Sequence, residues 1–287
     1  MWKTQLLYGN EQKTQVLRLR CASLRMTFHL MTTTGARPQG INDEASAAKA
    51  VRRMFDAIAP RYDLLNHVLS MNVDRLWRRQ VARRFRAVLA EPDAAVLDLC
   101  CGTGDMTLAL LKRRPRGARP VLAADFSPEM LRRGAQKFGG PGVGRRKHGA
   151  AYAMPLEADA LHLPLRSGSL DLIVTAFGFR NLANYEAGLR EFHRVLKPGG
   201  QLGILEFSEP GGKLGQTYAL YFRRVLPVVG RLLGGQAGPY SYLPASVGKF
   251  PPPDEMLARM RATGYEQCAW QPYTFGIAGL YTAARQL

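Results

Sequence analysis

Apolar residues recur at helical spacing through Val51, Met54, Phe55, Ile58 and Ala59, and Pro60 ends the run. Asp74 stands where it would cap a second, arginine-rich helix reaching about Ala90, with Leu76, Trp77, Val81, Phe85 and Val88 on its apolar side. After Pro92 the pattern changes. Short apolar runs predict strands at Ala94–Leu99, Pro120–Asp125, Ala151–Asp159, Leu170–Ala176 and Gln201–Phe207. Between them lie helical patterns at Asp105–Arg114, from Ser127 onward with Pro128 at the first helical position, and at Tyr185–Leu196, which the turn Lys197-Pro-Gly-Gly200 closes. Gly139–Gly149 reads as a basic, glycine-rich loop. The segment Leu214–Gly235 breaks the rhythm, being apolar on most sides but carrying Arg223, Arg224 and Arg231. Pro253–Thr263 returns to helix and two strands end the chain. This alternation predicts an α/β fold with a parallel, doubly wound sheet.

Residues 1–45 show no sustained period, mixing isolated Arg and Lys with Thr, Gln and Ser. They read as a floppy or over-extended N-terminus, with an acid-poor organelle transit peptide as the alternative. Residues 46–287 then form the patterned domain, which is long enough to bury a core without disulfides or metals. No apolar run reaches the length of a membrane span. Cys21, Cys100, Cys101 and Cys268 form no CxxC pair, which disfavours a disulfide framework and a zinc site, so no metal is expected. Cysteine usage fits a reducing compartment, hence a cytoplasmic location. Charge then enters: 40 Lys+Arg against 22 Asp+Glu leave a net +18, which suits a polyanion, whether nucleic acid, a membrane surface or a phosphate-bearing ligand. The cations are spread along the chain rather than gathered in a tail, so simple solvation is an equal reading.

The sharpest local signal is Val96-Leu-Asp-Leu-Cys-Cys-Gly-Thr-Gly-Asp105. A strand carrying Asp98 runs into a tight turn, Gly102-Thr103-Gly104, that opens a helix and lets backbone approach a ligand closely. A second strand ends in Asp125, the place for a carboxylate that accepts ribose hydroxyls. The third glycine of a dinucleotide fingerprint is missing, since Thr107 stands there, and a nicotinamide oxidoreductase is disfavoured. Carboxylates at Asp98 and Asp105 suit a cationic ligand instead. S-adenosylmethionine, with its sulfonium and ammonium groups, fits that demand. Asp159, with Ala160 beside it, closes the third strand where a carboxylate can take the adenine amino group.

These residues place the chain in a known pattern. It resembles the menaquinone/ubiquinone biosynthesis C-methyltransferases, a class I S-adenosylmethionine-dependent group. The resemblance rests on Phe55-Asp-Ala-Ile-Ala-Pro-Arg-Tyr-Asp63 with Asn66, the glycine turn, Asp125-Phe-Ser-Pro-Glu-Met130 and Phe177-Gly-Phe-Arg-Asn181. Arg194-Val-Leu-Lys-Pro-Gly-Gly200, Leu205-Glu-Phe-Ser208, Tyr240-Ser-Tyr-Leu243 and Tyr273-Thr-Phe-Gly-Ile277 complete it. It implies a seven-stranded, mostly parallel sheet whose last hairpin supplies an antiparallel strand. It also implies a helical cap over residues 46–92, an apolar lid over 213–245, and cofactor contacts at Thr103, Asp125, Asp159 and Ala160. Where family members carry a serine before the Phe-Gly pair this chain has Ala176, so any hydroxyl contact there is lost or passes to Thr175.

The implied reaction is C-methylation of demethylmenaquinol, with a 2-methoxy-6-polyprenyl-benzoquinol as the alternative substrate. A ring carbon becomes nucleophilic when the neighbouring hydroxyl ionises, so the site needs a base or a cation that stabilises a phenolate. Arg180 is the first candidate for that cation and Asn181 for a bond to the other ring oxygen, with Tyr62 and Asp63 as rivals for handling the proton. Tyr240 and Tyr242 are candidates to line the quinol pocket. A prenylated substrate gives Leu214–Gly235 a meaning as tunnel wall, interfacial helix or buried lid, and implies peripheral contact with the inner face of the membrane. A nucleic-acid methyltransferase is the rival in another class. Its Asn/Asp-Pro-Pro-aromatic loop and its Pro-Cys loop are both absent from the sequence, and no nucleic-acid partner is expected. A non-catalytic scaffold is disfavoured by the intact glycine turn and both acids.

Overall fold

Seven strands pair into one sheet: β1 (Val96–Leu99), β2 (Val121–Asp125), β3 (Ala153–Glu157), β4 (Leu170–Ala176), β5 (Leu196–Phe207), β6 (Tyr265–Tyr273) and β7 (Ala278–Arg285). The computed structural model describes residues 35–36, 43–59, 70, 72–138, 150–208 and 246–287. The strand order is β3-β2-β1-β4-β5-β7-β6. The pairs from β3 across to β5 are parallel, and β7 runs antiparallel to both neighbours, as the resemblance implied. Helices α1 (Glu44–Ile58), α2 (Val73–Arg84), α3 (Arg86–Ala90), α4 (Asp105–Leu111), α5 (Pro128–Phe138), α6 (Tyr185–Val195) and α7 (Pro253–Ala262) accompany the sheet.

Side chains of the central strands alternate between two cores because those strands are covered on both faces, while the edge strands β3 and β6 are partly exposed. Leu97, Leu99, Ile173, Leu202 and Ile204 meet Leu189 and Phe192 of α6 and Met256 and Met260 of α7. Val96, Leu172, Val174 and Leu205 meet Trp77, Val81 and Phe85, with Met106 and Leu110 of α4. Gly203 is the hinge of the second contact: a Cβ built on it would lie 2.5 Å from the Phe85 ring. The bare backbone at Gly203 is what lets that ring rest on the sheet.

Several boundaries differ from the sequence pattern. The single helix expected from Asp74 to Ala90 is capped two residues earlier, at a left-handed Asn72, and Asp74 points inward to Arg78 and to the Ser70 hydroxyl rather than capping. It divides at Phe85 (φ −98°, ψ 20°), the residue that turns in onto Gly203. The Lys197–Gly200 turn is folded into β5 as a bulge, where Gly199 takes φ 74° and the register to β4 jumps between Leu170 and Leu172. Helix α4 ends at Leu111, and the buried Arg114 beyond it donates to the carbonyls of Leu89, Glu91, Pro92, Ala94 and Arg119. That guanidinium satisfies the chain between α3 and β1 in place of water. The start of α5 is as expected: Ser127 Oγ accepts from Met130 N (3.2 Å) and Pro128 is the first helical residue. The Gly139–Gly149 loop, the Leu214–Gly235 segment and residues 1–34 lie outside the described residues.

Gly203→Val should destabilise the fold by about 1–3 kcal/mol, because the added atoms have no room against the buried Phe85. Denaturant unfolding should show a lower midpoint at unchanged slope; an unchanged midpoint would mean that Phe85 repacks freely.

Candidate functional site

Strand order reverses between β1 and β4, the switch point outside whose carboxyl ends ligands bind in open α/β sheets. A cavity of about 700 Å³, counting its open mouth, lies there. Its wall holds Leu99, Cys100 and Gly102 after β1, Asp125, Phe126 and Met130 after β2, and Ala158 to Leu161 after β3. Phe177, Gly178 and Asn181 to Ala183 after β4 complete that side, and Ala48 and Phe55 of α1 face them.

Two residues on this wall hold left-handed backbone without being glycine: Cys100 (φ 55°) ends β1 and Phe177 (φ 61°) ends β4. Such conformations cost free energy and persist where surrounding contacts over-determine them. Here a Cβ on Gly178 would lie 2.3 Å from Cys100 Cβ, so the two strand ends close on each other only because Gly178 has no side chain.

The cofactor candidates separate into two groups. Asp125 is on the wall, and its two carboxylate oxygens accept from the backbone N–H of Gly102 (2.8 Å) and Ser127 (2.9 Å). Burial raises its pKa to about 6, with those backbone donors pulling the other way. Gly102, Asp159 and Ala160 are on the same wall. Asp159 sits at the rim and accepts from Leu161 N (2.9 Å). Asp98, Thr103 and Gly104 are not on the wall. Asp98 is fully buried, takes the Thr107 hydroxyl at 2.5 Å, and has its other oxygen without a protein partner. Burial pushes its carboxyl up to about 7 against the pull of Thr107. Thr103 Oγ1 accepts from Lys137 Nζ (3.1 Å), which also meets Asp105 (3.2 Å). Gly104 has φ 86°, and a Cβ there would strike Phe138 at 2.6 Å, so its task is to seat α5 against the turn. Ala176 and Thr175 stand off the wall as well.

Of the expected cap over 46–92, α1 is the described part that reaches the cavity, while α2 and α3 pack on the sheet face. Three polar ties fasten α1 to the rim: Glu44 accepts from Asn184 Nδ2 (3.0 Å), Arg52 pairs with Glu157 (2.7 Å) and Asp56 accepts from the Ser127 hydroxyl (2.5 Å). Phe55 meets Phe126 edge-on at 6.2 Å between ring centres.

The four catalytic candidates also divide. Asn181 is on the wall, with Nδ2 3.4 Å from the Phe177 carbonyl. Arg180 is not among the described residues of the wall. It is 6% exposed and pairs with the fully buried Glu206 at the end of β5 (2.9 Å). Its Nη1 also donates to the Phe177 carbonyl (2.5 Å), and its backbone N–H reaches the second Glu206 oxygen (3.1 Å). Glu206 was not singled out as a site residue from the sequence, although a carboxylate ending an otherwise apolar strand was the available signal. Tyr62 and Asp63, and the pocket candidates Tyr240 and Tyr242, lie outside the described residues.

The sheet order, the cavity at its switch point and the carboxylate after β2 define a class I methyltransferase fold. Solved structures agree. A methyltransferase from Thermotoga maritima, titled a possible histamine N-methyltransferase, aligns over 82% of this chain and all of that one, with TM-score 0.55 at 16% identity. The [4+2]-cyclase SpnF aligns over 84% of this chain and 97% of its own, with TM-score 0.56 at 16% identity. At that identity the likeness speaks for the fold alone. The model of the ubiE/COQ5 methyltransferase family matches residues 42–285, and the chain belongs to that family. It is 44% identical to a demethylmenaquinone methyltransferase of Deinococcus radiodurans, across 89% of this chain and all of that one. The Thermus thermophilus enzyme of the same name is 45% identical across 81% of this chain and its own full length. A ubiquinone/menaquinone biosynthesis C-methyltransferase of Geobacter sulfurreducens is 39% identical across 93% of this chain and 95% of its own.

Two outcomes follow from the buried charges. Arg180→Ala leaves Glu206 charged and unpaired in the core and should cost about 3–5 kcal/mol of stability, whereas Arg180→Met with Glu206→Gln should recover most of it. Equal losses in the single and double variants would show that the pair is not what holds the turn. Asp98 and Asp125 keep protons in the folded chain at a pH where an unfolded carboxyl, near 3.8, has lost them. Their stabilising effect is therefore present at low pH and is lost as pH rises through about 6 for Asp125 and about 7 for Asp98. Asp98→Asn should flatten the upper part of that fall in chemical denaturation across the range; a curve parallel to wild type would remove Asp98 as its source.

Proposed function

We propose that the chain methylates a ring carbon of demethylmenaquinol, using S-adenosylmethionine as methyl donor, with the methoxy-benzoquinol of the ubiquinone route as second substrate. The observation that carries this reading is the charge of the cavity wall. In a chain of net +18, the described wall holds two carboxylates, Asp125 and Asp159, and neither lysine nor arginine. Such a wall repels a dinucleotide pyrophosphate and accepts a cationic, neutral-ringed cofactor. Membership of the ubiE/COQ5 family and the names of the relatives support the substrate class.

The residues present fit that cofactor. Asp125, fixed by two backbone donors, is oriented to accept the ribose hydroxyls. The apolar slot of Phe126, Met130, Ala160 and Leu161 suits an adenine ring, with Asp159 at its rim for the exocyclic amine. The bound cofactor supplies a methyl group on a positively charged sulfur, and the chain's own task is to hold the quinol in line with it and exclude water. Asn181 is the wall residue placed to bond a ring oxygen. Arg180 acts as a positioning residue: through Glu206 and the Phe177 carbonyl it sets the turn that carries Asn181. Tyr62 and Asp63 remain proposals for handling the quinol proton, and Tyr240 and Tyr242 for lining its pocket, on the strength of the resemblance.

Purified protein given labelled S-adenosylmethionine should place label on a short-tailed demethylmenaquinol under reducing conditions. A methoxy-benzoquinol and total RNA are the comparison acceptors; label on RNA alone would overturn the reading. Asp125→Ala should abolish cofactor binding in calorimetry. Asn181→Ala should keep it and lose about 10²–10³-fold in kcat, the scale of one lost transition-state donor.

A further inference from the structure

Exposed large apolar side chains are few among the described residues, and two of them share one face. Leu76, on α2, is 51% exposed, and Phe275, in the turn between β6 and β7, is 83% exposed. Trp77 Nε1 donates to Thr274 Oγ1 (2.8 Å), which fixes that turn beside the first turn of α2. Phe275 itself holds φ 58°, so its ring is presented to solvent at a backbone cost rather than tucked away. The turn lies at the carboxyl edge of the sheet, because Ala278 at the start of β7 pairs with Phe207 at the end of β5. Phe207 in turn stacks at 4.5 Å on Phe177, a residue of the cavity wall. The exposed pair therefore stands at the same edge as the site.

Cations gather on the Leu76 side of this pair. Arg75, Arg79 and Arg83 follow one another at i, i+4 around Leu76 and are exposed. Across a groove stand Lys112 and Arg113, at the end of α4 and just beyond it. None of the five forms an ion pair among the described residues. The acids nearby are engaged elsewhere: Asp74 is buried against Arg78, and Asp105, which borders the groove, meets Lys137. A solvated helix needs neither the leucine in the middle of its arginines nor an adjacent aromatic at a turn tip.

We propose that this face docks on a bilayer containing anionic lipid, with Leu76 and Phe275 entering the headgroup boundary and the arginines around them meeting lipid phosphates. Apolar anchors ringed by arginine and lysine are the pattern of interfacial binding. A second copy of the chain would set like charges against each other across a two-fold contact. A nucleic acid would gain from the arginines and nothing from Leu76. No described helix is long and apolar enough to cross a membrane, so attachment through this face would be peripheral. The proposal deepens the functional reading above, on which it rests for its purpose: a prenylated quinol resides in the bilayer and would enter from the sheet edge that faces it.

The full chain should co-sediment with vesicles of phosphatidylcholine mixed with phosphatidylglycerol. It should not co-sediment with phosphatidylcholine alone, and high salt should weaken binding. Neutralising Arg75, Arg79 and Arg83 to Gln should weaken vesicle binding about fivefold per arginine. Leu76→Gln with Phe275→Asn should weaken it too, asparagine being tolerant of the left-handed backbone at that turn. Both variants should methylate a short-tailed quinol in solution at the wild-type rate and lose turnover of a long-tailed quinol held in vesicles. Vesicle affinity unchanged in both variants, or no binding by the wild type, overturns the proposal. So does an apolar variant that breaks a dimer while keeping its lipid affinity, or an arginine variant that loses RNA but not vesicles. Turnover of the short-tailed quinol in solution decides the functional reading separately.

Discussion

A parallel sheet leaves a row of backbone donors at its carboxyl edge, where the ladder stops and no next strand takes over. In this protein carboxylates at the strand ends satisfy them. Asp125, ending β2, accepts from Gly102 in the turn after β1. Glu206, near the end of β5, accepts from Arg180 in the turn after β4. Each acid reaches sideways to the neighbouring loop, so the two loops flanking the switch point are held by the strands outside them. The left-handed Cys100 and Phe177 become tolerable under that restraint, and the cavity between them keeps its shape. Buried acids are expensive to ionise, which is why Asp125 is pushed up to about 6 even with backbone donors on both oxygens.

Charge is distributed accordingly. The excess of 18 positive charges is absent from the described wall of the cavity and concentrated in part on the outer side of α2. One net charge thus describes two surfaces with opposite demands. The described wall carries acids, and among the described residues the five cations of the outer face form no ion pair. Composition alone offered a polyanion partner and placed it nowhere. The location of the cations, around Leu76 on the face that Phe275 shares, is what favours lipid over nucleic acid.

Much of this was legible in the residues. Strand positions, the glycine turn, the Ser127 cap and the wall carboxylates Asp125 and Asp159 follow from period, spacing and turn chemistry, which are local. What escaped was set by partners distant in sequence. Phe85 interrupts a helix because Gly203, more than a hundred residues away, offers bare backbone to its ring. Asp98 stands in the motif like a ligand group, yet it faces Thr107 of α4 and is fully buried. Arg180 follows β4 at the sheet edge, and its ion pair is with Glu206 of another strand. A motif fixes which residues come near a site; which of them turn toward it depends on the acids and rings they meet from other elements.

The cyclase that shares this fold at 16% identity shows how little the sheet alone says about chemistry. The β3-β2-β1-β4 order makes a crevice at the switch point whatever is bound there. Selection begins with the side chains that the loops after β2, β3 and β4 place on the wall. Asp125 and Asp159 stand on the side formed after β2 and β3, while Asn181 and the Phe177–Gly178 turn form the part nearest the Arg180–Glu206 pair. That pair spends a buried cation on geometry rather than on contact. A guanidinium free in the cavity would repel the cationic donor before it could stabilise a phenolate. Holding the arginine behind the turn, paired with Glu206, keeps its charge off the described wall, and on the function proposed above it would leave a neutral amide, Asn181, to orient the acceptor. On the function proposed above, the requirement that one pocket serve a cationic donor and an oxygen-bearing aromatic acceptor would account for the placement of Arg180 as well as for the acids opposite it.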